Sequence, residues 1–157
     1  IGEPNKLVKI VEDGVFQEIR LNNALEPKGL GTGAAVADID NDGVLELLIS
    51  HGESGLQPLS LFKFNSDEKT SYLRIRPLNM HGAPARGATV TLITNKREHS
   101  KTIDAGSGYL CQMEPVAHYG IRENETEFKF KVKWTNGDED LFDVKNLNET
   151  IIVKQKI

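Results

Sequence analysis

The sequence is short of cysteine, of basic charge and of long apolar runs, and each shortage closes off a class of protein. Cys111 is the only cysteine, so no internal disulfide can form and the chain is not a small scaffold held by crosslinks. Flanked by Leu110 and close to Met113, it is expected to be a small buried hydrophobe; the alternative is a mate in a missing part of a parent protein. The formal net charge is −4, against the basic surface expected of a nucleic-acid binder. No apolar run approaches the roughly 20 residues that a membrane-spanning helix needs. Residue 1 is Ile with no charged-then-apolar leader behind it, so a signal peptide is expected to have been removed or to lie upstream. The remaining composition, 38% hydrophobic and 27% charged over 157 residues, suits a soluble globular protein of one ordinary domain or two small ones.

What is present is strand signal. Phe128, Phe130, Val132 and Trp134 alternate with Lys129, Lys131 and Lys133. That period of two places an aromatic-rich face on a core and a row of ammonium groups in water. Asn136-Gly137 follows at once, a pair suited to a tight hairpin because both positions tolerate positive φ, and 141–144 reads as the returning strand. Segments 72–77, 88–94, 100–104 and 150–154 are short, bounded by turn residues and rich in β-branched side chains. No segment holds a 3.6-residue period beyond about two turns, and 116–120 has room for a brief turn of helix at most. The reading is all-β. The polar stretch 65–70 lacks an apolar anchor and divides the chain at about residue 69. Before it the sequence is punctuated by Gly29, Gly31, Gly33 and Gly43; after it, strands lengthen and turns recur at the spacing of an antiparallel β-sandwich.

The densest chemistry lies in Asp38-Ile-Asp40-Asn-Asp42-Gly43-Val44-Leu45-Glu46, which offers carboxylates at loop positions 1, 3, 5 and 9 and the Val44 carbonyl at position 7. Ca²⁺ takes about six to eight oxygens in flexible geometry, so carboxylates on a tight turn suit it. Without a cation they would repel one another, and Gly43 lets the backbone double back. An EF-hand needs a bidentate Glu at position 12, where Ile49 stands, and helices on both sides; here 34–37 and 45–50 are strand-like. Catalytic carboxylates of a glycosidase would come from separate elements facing a cleft. Asp38, Asp40, Asp42, Val44 and Glu46 are therefore expected to hold calcium, against the plainer reading of a solvated acidic turn. Gly29-Leu-Gly31-Thr-Gly33-Ala34 looks like a dinucleotide fingerprint but leads into the aspartate turn and opens no helix, so it reads as a tight bend.

Gly31-Thr-Gly33-Ala-Ala-Val-Ala-Asp-Ile-Asp40-Asn-Asp-Gly43, followed by Leu47-Leu-Ile-Ser50, resembles an FG-GAP repeat, the calcium-loop blade of integrin-α-type β-propellers, with Glu46 where those repeats usually carry Asp. The second half resembles an ASPIC/UnbV domain through Leu73-Arg-Ile-Arg-Pro77, His81-Gly-Ala-Pro-Ala-Arg-Gly87-Ala, the run from Asp104-Ala-Gly-Ser-Gly to His118-Tyr-Gly120, and Trp134-Thr-Asn-Gly137. The pairing is similar to the C-terminal part of the cartilage acidic protein family. The resemblance implies a blade over 1–69 followed by a sandwich over 70–157, in a secreted, extracellular protein. It also implies that 1–69 is the last blade of a propeller whose other blades lie outside this chain. The partner it implies is an extracellular protein or matrix component, a receptor on neurons among them.

Other residues are weaker candidates. Asn124-Glu-Thr126 and Asn148-Glu-Thr150 are glycosylation sequons. Gly106-Ser-Gly108 could offer backbone N–H groups to an anion, but a bend between strands is the simpler reading. Ser107 and His118 with Asp104 or Glu114 could be drawn as a hydrolase triad, but no Gly-x-Ser-x-Gly elbow is present; His118 is expected to be a hydrogen-bonded core or near-surface histidine. Lys129, Lys131 and Lys133 with Arg74 and Arg76 could form a strip for sulfated glycosaminoglycan, although exposed strand lysines more often keep a sheet soluble. Arg86-Gly87 is followed by Ala88 and not by the Asp of an adhesive tripeptide. The expectation is a non-catalytic extracellular module stabilised by Ca²⁺ that binds a protein or matrix partner without nucleic acid or membrane insertion. The alternative is a carbohydrate-binding accessory domain of a carbohydrate-active enzyme, for which a row of exposed aromatics is missing.

Overall fold

The computed structural model describes residues 4–12, 14–20, 22–26, 31–52, 59–64, 70–104, 106–109 and 111–156. The boundary expected near residue 69 falls on 65–69, outside the described residues, as do Gly29 and Leu110. Among the described residues the elements are strands and one 3-10 turn, Asn22–Leu25, in keeping with the all-β reading. Strands β1 (Leu7–Glu12) and β2 (Val15–Ile19) form a two-stranded hairpin. Strands β3 (Gly31–Ala37), β4 (Glu46–His51) and β5 (Ser60–Phe62) form a three-stranded antiparallel sheet in that order.

The later strands make two further sheets. One runs β11 (Glu139–Asp143), β10 (Lys129–Lys133), β7 (Thr89–Ile93) and β8 (Glu98–Thr102); the other runs β12 (Glu149–Lys154), β6 (Ser71–Leu78) and β9 (Ala117–Ile121). Both contribute to one buried cluster. Leu73 and Ile75 come from β6, Val90 and Leu92 from β7, Phe130 and Val132 from β10, and Tyr119 from β9. Each fully buried aliphatic or aromatic side chain of this kind stabilises the fold by roughly 1.5–3 kcal/mol.

The alternation expected in 128–134 holds: Phe130, Val132 and Trp134 are buried, and the Trp134 indole N–H donates to Asp140 Oδ2 at 2.8 Å. The hairpin at Asn136-Gly137 closes with Gly137 N–H donating to the Trp134 carbonyl at 3.0 Å.

Two expectations change, and one alternative falls away. The sheets are not all antiparallel, since β12 lies parallel to β6 from Glu149↔Leu73 to Lys154↔Leu78. Alternation in 150–154 could not show this, because a strand buries the same face whichever way its neighbour runs. Asn148, at φ 61, seats β12: its N–H donates to the Tyr72 carbonyl at 2.7 Å, and its Oδ1 accepts from Tyr72 N–H at 2.9 Å. Secondly, 116–120 is no helical turn but most of β9, with Ala117, Tyr119 and Ile121 buried at a period of two. The basic strip, weighed as the lesser alternative, does not assemble. The three lysines lie on β10 and the two arginines on β6, in different sheets, and Arg74 is buried. Lys129 and Lys131 face Asp143 and Glu139 of β11 at 3.6 and 3.3 Å.

Candidate metal centre

The aspartate turn is the β3–β4 connection. Ala37 pairs with Glu46 across the two strands, so the loop leaves and re-enters the sheet at adjacent positions and its carboxylates converge. Ligand atoms of Asp38, Asp40 and Asp42 lie within 4.8 Å of one another. Backbone N–H groups fix their orientation. Gly43 N–H donates to Asp38 Oδ2 at 3.2 Å, Asp42 N–H to Asp40 Oδ1 at 3.3 Å, and Val44 N–H to Asp42 Oδ1 at 2.8 Å. Ile39 N–H reaches forward to Glu46 Oε2 at 2.8 Å, which ties the ninth loop position to the second. Gly43 has φ 87, and a Cβ there would stand 1.9 Å from Tyr72 Cδ1. Glycine is thus required twice, for the turn itself and for the ring packed against it.

Two cations of the chain neutralise much of this charge. Lys63 Nζ lies 2.5 Å from Asp40 Oδ2, 2.5 Å from Asp42 Oδ2 and 3.7 Å from Glu46 Oε1. Its hydrogen bond to Asp42, with that from Val44 N–H, holds the Asp42 carboxyl below the usual carboxylate range. Asp40 and Asp42 in turn push the Lys63 ammonium well above the ordinary lysine range. Arg74 of β6 also reaches the cluster, with Nη1 3.0 Å from Asp38 Oδ2 and 3.2 Å from Asn41 Oδ1. Its Nη2 is 2.6 Å from each oxygen of Glu114.

Two oxygens of the cluster lack hydrogen-bond donors, although Lys63 stands within ion-pair range of one of them. Asp38 Oδ1 and Glu46 Oε1 are buried and accept no hydrogen bond among the described residues. The whole Asp38 side chain is out of water, and Glu46 keeps only 5% exposure. A buried carboxylate oxygen without a donor is costly, and a hard cation ligated by oxygens removes that cost. The residues present fit a calcium ion: Asp38, Asp40, Asp42 and Glu46 would supply carboxylate oxygens, and Val44 lies on the same turn.

Strands on both sides of the loop agree with the rejection of an EF-hand. The drawn triad does not form. The Ser107 hydroxyl donates to Asp104, and no hydrogen bond joins it to His118 among the described residues. His118 is half-buried and stacks on Tyr72 with ring centroids 6.1 Å apart, while its Nδ1 has no hydrogen-bond partner among the described residues, where a hydrogen-bonded histidine was expected. Burial first, then the nearby charges of Lys101 and Arg74, pushes this imidazole below the ordinary histidine value. Gly108, at φ 104, makes the bend expected of Gly106-Ser-Gly108. Cys111 is half-buried and free; a Cβ on Gly33 would stand 2.6 Å from its sulfur, so this segment packs directly on β3. Asn124 and Asn148 are exposed.

Sequence reasoning missed Lys63 altogether and weighed Arg74 only for a surface strip. The available signal was indirect: acidic groups packed this closely demand basic ones from elsewhere in the chain. A second polar cluster was also missed. Glu26 accepts from the Ser60 hydroxyl at 2.5 Å, lies 2.9 Å from His51 Nε2 and accepts from Asn5 at 3.1 Å. These contacts hold its carboxyl below the usual range, Ser60 contributing most.

The geometry invites comparison with known proteins. The family described as ASPIC and UnbV matches residues 79–157. The chain belongs to the ASPIC and UnbV family. The match begins directly after β6, although β6 supplies Leu73 and Ile75 to the same core. The chain is also similar to Cartilage acidic protein 1 of Homo sapiens and of Mus musculus, each 46% identical over 138 residues, covering 85% of this chain and 21% of the relative. The protein of that name from Xenopus tropicalis is 49% identical over 126 residues, covering 80% of this chain and 19% of the relative. The similarity reaches beyond the family match, since residues 79–157 supply much less than 85% of the chain. This ASPIC and UnbV member spans about a fifth of the length of the curated relatives it matches.

Proposed function

We propose that this chain is a non-catalytic, extracellular interaction module in which a calcium ion orders an FG-GAP-type blade, residues 1–69, beside an ASPIC/UnbV sandwich, residues 70–157. The observation that carries the calcium reading is the pair of buried, undonated carboxylate oxygens on Asp38 and Glu46. Bound there, the ion supplies charge neutralisation and fixes the turn. The chain's own N–H groups, on Ile39, Asp42, Gly43 and Val44, hold the carboxylates in place for it.

Relatives named for cartilage support an extracellular setting, and the exposed sequon residues Asn124 and Asn148 are compatible with glycosylation there. The hairpin and β5 region exposes Ile10, Phe16, Leu59, Leu61 and Phe64, apolar surface that neighbouring blades of a longer protein would cover. The partner in this reading is an extracellular protein or matrix component, met by the sandwich.

Calcium content of the purified chain and its melting with and without chelator test the reading. Extracellular modules hold calcium with Kd down to about 0.1 mM. Calcium at about 100 times Kd stabilises by about 2.7 kcal/mol, which raises the melting midpoint of a chain this size by roughly 5–10 °C. Melting and calcium content both unmoved by EDTA would remove the structural ion from the account.

A further inference from the structure

We propose that Arg74 is a positioning residue that couples cation occupancy of the loop to the segment carrying Glu114; the proposal rests on the calcium reading above. Arg74 is 3% exposed and shared between two carboxylates, Asp38 through Nη1 and Glu114 through both oxygens on Nη2. Asp38 divides its own oxygens. Oδ2 faces Arg74 and Gly43 N–H, and Oδ1 is the buried oxygen with no donor. An ion on Oδ1 draws charge from the carboxylate, loosens its hold on Nη1 and leaves more of the guanidinium charge for Glu114. In a site out of water such redistribution is weakly screened.

Coupling between sites is reciprocal, so Glu114 must strengthen calcium binding by the factor with which calcium strengthens the Arg74–Glu114 pair. Glu114 also lines a cleft of about 370 Å³ together with Val36, Leu45, Lys101 and His118. Loop occupancy thereby reaches a surface shared by the loop-bearing sheet and the family domain.

The test is calcium titration calorimetry on the full chain as wild type, Glu114→Gln, Arg74→Met and the double variant, with amide exchange over 111–116. Glu114→Gln is expected to weaken calcium binding about fivefold, the lower end of such couplings, and to do nothing further in the Arg74→Met background. Calcium should slow exchange over 111–116 in the wild type and not in Glu114→Gln. This exchange comparison decides the matter if Arg74→Met does not fold. An unchanged affinity in Glu114→Gln, or the same loss with Arg74 absent, overturns the coupling while leaving the calcium site standing. A wild type that takes up no calcium overturns both.

Discussion

The loop-bearing region and the region from β6 to β12 specify their structures by different means. From residue 71 onward, Leu73, Ile75, Val90, Leu92, Phe130, Val132 and their neighbours form one apolar cluster. Before residue 65 the buried apolar side chains among the described residues are Ala24 and Ile49, and the buried charged ones are Asp38 and Glu46. Among its described residues the first region buries as many charges as hydrophobes. Its order comes from paired carboxylates, from Tyr72 and Arg74 lent by β6, and, in the proposed reading, from an ion and from blades outside the chain. The contrast teaches that burial alone does not identify a core; what is buried decides how the region responds to its surroundings.

The sharpest test of the contrast removes a side chain from the apolar cluster. Phe130 is 1% exposed and stacks on Phe142 with centroids 4.9 Å apart. Phe130→Ala should cost about 3–5 kcal/mol, measured by chemical denaturation. A loss under about 1 kcal/mol would mean that the two sheets do not share one cluster. Gly43→Ala should act next in size, at more than about 1 kcal/mol, because alanine at positive φ is strained whatever its neighbours, and here it also meets the Tyr72 ring. Amide exchange should rise over 31–51 and stay unchanged over 117–133; uniform acceleration would show that the two regions unfold as one. Phe16→Ser should do least. Phe16 is 65% exposed, so a change within about 0.5 kcal/mol is expected, and a larger loss by thermal melting would show that this face is covered in solution.

Much of the fold was legible. The strict alternation through Phe128 to Trp134 and the Asn136-Gly137 pair located β10, its hairpin and β11, because period and turn chemistry are local properties. Val116 to Gly120 was misread because the positions alternating with buried Ala117, Tyr119 and Ile121 hold His118 and Gly120 in place of plainly polar residues, which blurs the period of two. The parallel placing of β12 was not legible, since direction depends on where the chain returns and not on which face is apolar. At the candidate site the gathering of carboxylates on the turn from Asp38 to Glu46 was readable from spacing alone. Lys63 and Arg74 were not, because they arrive from β5's flank and from β6, and nothing in their local sequence marks a partner.

By itself, the sequence determined the all-β class, the aspartate turn between strands and the family resemblance, each written in residues close together along the chain. Only the tertiary structure decided that Asp38 is buried against Arg74 while its other oxygen goes undonated, that Tyr72 closes over Gly43, and that β12 runs with β6. These depend on the packing of segments distant in sequence, where burial turns a solvated charge into one that must find a partner.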